Sequence, residues 1–226
     1  MDIALTLVAL WIAFGASHMA LSSQRWRPRL VARLGEPGFL GLYSLLALAI
    51  FAPLVSIYLS NRHSGPYLGS LAGVPGLRIV VLVGMGAALA LLAAGLARPS
   101  PASIAVGKAP AAADPGGVFQ VTRHPVLMSM ALFGLLHLCA VAVHASELAF
   151  FAGFPVFVVL GCLHQDRRKL ASGDEGFRGF HAATPFLPFS RPSGVWAALR
   201  QQPVAVAVGV GLAVALRWLH PAMFGP

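Results

Sequence analysis

Apolar residues fall into six runs, about Asp2–Leu21, Gly38–Leu59, Gly76–Ala97, Pro125–Val143, Glu147–Leu163 and Pro203–Leu219, separated by polar or Pro/Gly-rich stretches. A helix rising 1.5 Å per residue needs ~20 such residues to cross a ~30 Å hydrocarbon core. Most runs approach that length, and the fifth and sixth are shorter. The pattern predicts an all-α polytopic membrane bundle of about six transmembrane helices, forming one domain over residues 1–226 without a soluble appendage. Pro53 and Pro155 lie inside runs two and five and are expected to bend them. Small residues Gly86, Ala90 and Ala94 recur at every fourth position of run three, a close-packing stripe.

Two connections stand out. Pro99–Gly117 is rich in Pro, Ala and Gly and is expected to be mobile. His164–Gln202 is the longest connection. Its Phe177-Arg178-Gly179-Phe180 and Thr184–Phe189 pieces resemble an interfacial segment folding back onto the membrane.

Composition agrees with a lipid-facing surface: 58% of residues are hydrophobic and only 10% charged, against roughly a quarter charged in soluble domains. The net charge of +9 would suit nucleic acid, but its distribution argues against that partner. All but three of the 16 basic residues lie on connections one, three and five; the exceptions are Arg62, Arg78 and Arg217. Positive charge on alternate loops marks the cytoplasmic side. The expected setting is a bacterial inner (cytoplasmic) membrane with both termini outside, and membrane lipid is the first partner. The first run has no basic residues before it and a basic flank after it, so it reads as a retained helix rather than a signal peptide.

Gly-rich phosphate loops, paired catalytic carboxylates, a Ser-His-Asp set and HExxH are all missing from the sequence. Cys139 and Cys162 read as small buried hydrophobes. The candidate chemistry rests on histidine. His18 lies near the end of run one, and His137 lies twelve residues beyond Pro125, or ~18 Å along an ideal helix. An imidazole inside lipid needs partners for its ring nitrogens. Either each histidine bonds a neighbouring helix, or the two clamp a haem between spans. Thr122-Arg123-His124-Pro125 opens run four: Pro125 suits the first helical turn, and Thr122 or His124 the cap. Free N–H groups, the helix dipole and Arg123 make an anion site fit for a propionate, a lipid phosphate or a cofactor carboxylate. The plainer alternative is an interfacial Arg-His pair. His63, His144, His181 and His220 read as loop or helix-end residues, and Asp166 as the partner of Arg167 or Arg168.

In order and spacing these segments resemble the NnrU family and, with it, the plastid 15-cis-zeta-carotene isomerases. The carriers are Ser17-His18 leading into Ser22-Ser23-Gln24-Arg25, Gly41-Leu42-Tyr43-Ser44-Leu45, Thr122-Arg123-His124-Pro125, Leu136-His137-Leu138, Asp166-Arg167-Arg168, Thr184–Phe189 and His220-Pro221. The resemblance implies haem b with His18 and His137 as axial metal ligands, and Arg123 and His124 on the cofactor-binding side. It also implies either cis–trans isomerisation of an apolar polyene or a denitrification-linked role near nitric oxide chemistry. The chain departs from the isomerases at Asn61-Arg62-His63-Ser64-Gly65 and lacks their Trp-x-Gly-Asn stretch after His137. Two other classes stay open. One is a non-catalytic membrane accessory factor. The other is an S-adenosylmethionine-dependent methyltransferase of the isoprenylcysteine or phospholipid type, using Arg123, His124 and Asp166. The oligomeric state is not written in the sequence.

Overall fold

In the computed structural model, which describes residues 2–103 and 114–224, all six apolar runs are helical. The order is α1 (Ile3–Leu21), α2 (Arg27–Ser60), β1 (Tyr67–Ser70), α3 (Leu77–Ala97), α4 (Pro125–Ala140), β2 (Ala142–His144), α5 (Ala145–Ala171), α6 (Glu175–Ala183), α7 (Pro192–Gln201) and α8 (Pro203–Phe224). Among the described residues, α1, α2, α3, α5 and α8 are long and apolar enough to cross a membrane. With 16 residues, α4 reaches only about 24 Å.

Two boundaries differ from the sequence expectation. The fourth span stops at Ala140, because Ala142–His144 pairs antiparallel with Tyr67–Ser70. The fifth is not short: α5 has 27 residues and carries Asp166, Arg167, Arg168 and Lys169 beyond its apolar part. Of the connection expected to be mobile, residues 104–113 lie outside the described residues. Its flanks are packed, with Ala102, Val118 and Phe119 buried.

The sequence reading did not foresee a break near the start of α2. Within α2 the non-helical dihedrals are at Gly35, where φ is 70°, a left-handed value that glycine adopts without penalty. Arg27–Leu34 therefore forms a separate piece, tied back by a 2.5 Å Arg27–Glu36 salt bridge. Pro53 and Pro155 stay inside continuous helices. Pro155 has no N–H for the Phe151 carbonyl, and α4 closes over that site: a Cβ at Gly134 would collide with the Phe151 oxygen.

α5 packs on both α1 and α4, α3 packs on α4 and α8, and α1 packs on α2. The connections gather by charge. At the basic end Gln24 bonds the Arg168 carbonyl, Lys169 that of Pro101, and Thr122 that of Phe186. At the other end Ser64 N–H bonds Ser146 Oγ and Ala145 N–H bonds the Pro66 carbonyl, beside the β1–β2 ribbon. Loops one, three and five thus share one end. The buried side chains form two clusters, one around Phe119, Phe177 and Phe180 near the basic end, and an aromatic one around Trp11, Phe14, Phe150, Phe151 and Phe154 among the spans.

Replacing Gly134 by Ala should push α4 away from α5 and lower the melting temperature in detergent, at an overpacking cost of about 1–3 kcal/mol. Gly161→Ala on the same α5, where a Cβ meets nothing within 4 Å, should leave the melt unchanged or raise it.

Candidate functional site

The Thr122–Pro125 turn is a buried polar knot at the basic end. Pro125 occupies the first turn of α4 and His124 caps it, its carbonyl accepting from Met128 N–H at 2.8 Å. Arg123, His124 and Asp166 are each less than 10% exposed. The Asp166 carboxylate accepts from Arg123 Nε at 2.8 Å through Oδ2 and from His124 Nε2 at 2.9 Å through Oδ1. Asp166 therefore pairs with residues more than forty positions upstream, not with its neighbours Arg167 and Arg168. The anion expected at this helix start is a carboxylate of the chain itself.

Further bonds fasten the knot to the segment after α6. Arg123 Nη1 donates to the Thr184 carbonyl at 3.0 Å and Arg123 N–H to that of Pro185 at 2.9 Å. Thr122 Oγ1 donates to the Phe186 carbonyl at 2.6 Å, and the guanidinium lies 5.1 Å from the Phe186 ring centre. Ser100 Oγ holds the Arg123 carbonyl at 2.6 Å. His181, on α6, stands 3.8 Å from Asp166 Oδ2. Burial and the nearby Arg123 charge hold its imidazole below its ordinary range. Chemically, the arrangement neutralises a buried carboxylate and locks connections three and five to the end of α5.

The membrane histidines are built alike. His18 Nδ1 lies 2.7 Å from the Phe14 carbonyl and His137 Nδ1 lies 2.8 Å from that of Phe133, each four residues back. A carbonyl only accepts, so both Nδ1 atoms carry the proton and both Nε2 atoms keep a lone pair. The two rings are not brought into contact. His18 packs against Phe14, Tyr43 and Phe157. His137 stacks on Phe151 at 4.7 Å and packs on Phe133. Phe151 and Phe157 are six residues apart on α5, a rise of about 9 Å. Trp11, Phe14 and Phe154 fill the layer between these heights, and Trp11 Nε1 donates to the Phe150 carbonyl at 3.1 Å. This layer encloses a cavity of about 90 Å³ lined by Trp11, Phe14, Phe51, Met130, Phe154 and Phe157.

Sequence reasoning singled out Arg123, His124, His18 and His137 as candidates and missed what holds the first two. A lone acid in a strongly basic stretch, Asp166, was the available signal.

Replacing Asp166 by Ala leaves a buried guanidinium unpaired, at a cost of about 3–5 kcal/mol. Trypsin should then cut at Arg178 much faster than in the parent protein, as followed by mass spectrometry. Arg167→Ala should leave the cleavage rate unchanged.

A family model described as NnrU protein matches residues 6–226. No curated protein and no solved structure matches the chain. The family match runs through the His18 helix, the Thr122–Pro125 knot, His137 and α8, nearly the whole length, and on that ground the chain belongs to the NnrU family.

Proposed function

We propose that this NnrU-family membrane protein binds haem b between α1 and α4, where His18 and His137 would hold it. The observation that carries the reading is their shared tautomer. In each imidazole Nδ1–H is held by a backbone carbonyl, the arrangement that orients a ligating histidine and leaves Nε2 for the metal. The donor set fits a six-coordinate haem in chemistry. The space between is filled by aromatic side chains around a cavity of about 90 Å³, well below the ~300 Å³ at which ligand pockets begin. Binding therefore requires Trp11 and Phe14 to swing out of the layer. Bound haem would supply one-electron chemistry at a potential set by two imidazoles and an apolar surround.

The chain's own residues have separate tasks in this reading. Phe133 and Phe14 fix the ring tautomers through their carbonyls. The aromatic cluster keeps the surroundings of both rings apolar. Arg123 and His124 act at a distance: engaged with Asp166, they fix the start of α4 and through it the position of His137. An open apolar groove of about 470 Å³ between α3 and α4, lined by Val80, Val83, Leu132, Leu136 and Phe189, suits a polyene or acyl chain. That supports an isomerase-like activity as the catalytic version. A denitrification-linked accessory role, with haem as sensor or store, is the non-catalytic one. The methyltransferase reading needs Arg123, His124 and Asp166 to turn away from one another toward a cofactor, and their mutual burial favours the haem reading over it. The basic end is proposed to face the cytoplasm of a bacterial inner membrane, with both termini outside.

Purified from haem-supplemented cells, the protein should show a Soret band and sharp reduced α and β bands, with about one haem per chain by pyridine haemochrome. His18→Ala and His137→Ala should each lose most of it; full occupancy in both would sink the assignment. In a Cys139→Ala, Cys162→Ala background, an impermeant thiol reagent should label Ser70→Cys in intact spheroplasts and leave Ser193→Cys unlabelled.

A further inference from the structure

Glu147, in the first turn of α5, is fully buried at the end opposite the basic loops. Its position follows from a capping box: Oε2 accepts from His144 N–H at 3.0 Å, as a Glu three residues into a helix does. Ser146 Oγ adds a second bond to Oε2 at 3.2 Å. Oε1 accepts from His63 N–H at 2.9 Å. A carboxylate oxygen has two lone pairs, so Oε2 is saturated by these bonds while Oε1 keeps one.

Two imidazoles face this carboxylate without bonding it. His63 Nδ1 stands 3.6 Å from Oε1 and His144 Nδ1 stands 3.5 Å from Oε2. Both separations exceed hydrogen-bond length. One ligand atom from each of His63, His144 and Glu147 falls within 4.8 Å of the others. Donors bound to one ion at ~2.0–2.1 Å stand about 3.3 Å apart in a tetrahedron. The three donors are thus looser than a closed shell but near enough for a single ion to draw together, and the imidazole–carboxylate separations are longer than hydrogen bonds.

The backbone supports the same reading. His63 has φ 59°, a left-handed value that few non-glycine residues take without a reason. That conformation turns its N–H and its ring toward the same carboxylate. Its side chain is 58% exposed, so an ion can arrive from water while Glu147 waits beneath. Second-sphere bonds from Ser146 and two backbone N–H groups already fix the carboxylate. Two imidazoles and one carboxylate, with a remaining position open to water, are a zinc-type donor set.

We propose that His63, His144 and Glu147 form a binding site for a zinc-class divalent cation at the non-basic face of the membrane domain. The site is separate from the His18–His137 pair and binds without haem. It clips the turn after α2 to the start of α5, in register with the β1–β2 ribbon.

The test uses the full chain in detergent, stripped with EDTA and titrated with Co²⁺ and then Zn²⁺. His63→Asn removes the ring and keeps a residue that tolerates left-handed φ. His144→Ala removes the other ring and keeps the capping N–H. The parent protein should bind one Co²⁺ with the visible bands of tetrahedral coordination, displaced by Zn²⁺. Each variant should weaken binding at least tenfold while its metal-free melting temperature stays at the parent value. His18→Ala/His137→Ala should bind Co²⁺ as the parent does. Parent-like binding in His63→Asn, no saturable binding in the parent, or a signal that follows His18 and His137 would each overturn the assignment.

Discussion

A buried carboxylate must find its partners within the protein, and α5 meets that constraint twice, with Arg123 at Asp166 and with backbone N–H groups and Ser146 at Glu147. Its two buried carboxylates, Glu147 and Asp166, are 19 residues apart, about 28 Å along a helix and close to the ~30 Å thickness of a bilayer core. Each sits where the helix leaves the hydrocarbon, and each gathers the connections at its own end. Asp166 draws in the Arg123–His124 turn, which in turn holds Thr184, Pro185 and Phe186. Glu147 draws in the turn at His63 and the backbone of His144. The spans between need only pack, and they do so through aromatic rings and close backbone contacts.

This division explains the placement of the membrane histidines. Both lie between the two acid-bound ends, where water is scarce and a ring nitrogen must bond backbone or bind something else. Each takes the carbonyl one turn behind it. The aromatic layer that separates them is continuous with the packing of α1 against α5, so whatever enters there must do so at the expense of that packing.

The spans were legible because lipid demands continuous apolar helix, and run length alone reports it. Arg123, His124, His18 and His137 stood out as candidates because ionisable groups beside or within such runs are costly. The break at Gly35 was not, since a glycine within a helical run is ambiguous without its φ. The bends expected at Pro53 and Pro155 gave no non-helical dihedrals; at Pro155 the uncovered Phe151 carbonyl is met by Gly134 on the neighbouring helix. Strands of three and four residues are too short to show a period. The long-range pairs, Arg123 with Asp166 and His63 with Glu147, depend on which helices become neighbours, and no local pattern records that.

The chain order of these partners bears on how the protein is made. Ribosomes deliver Arg123 at the start of α4 more than forty residues before Asp166 and some sixty before Thr184 and Pro185. Until α5 is inserted, the guanidinium lacks its counter-charge, and the first four spans are held by the β1–β2 ribbon, the Ser100–Arg123 bond and their own packing. Both buried carboxylates therefore arrive with one later helix, and the basic end closes only after the Thr184–Phe186 segment follows it. Quality control in the membrane would find its substrates among chains stalled before that helix arrives.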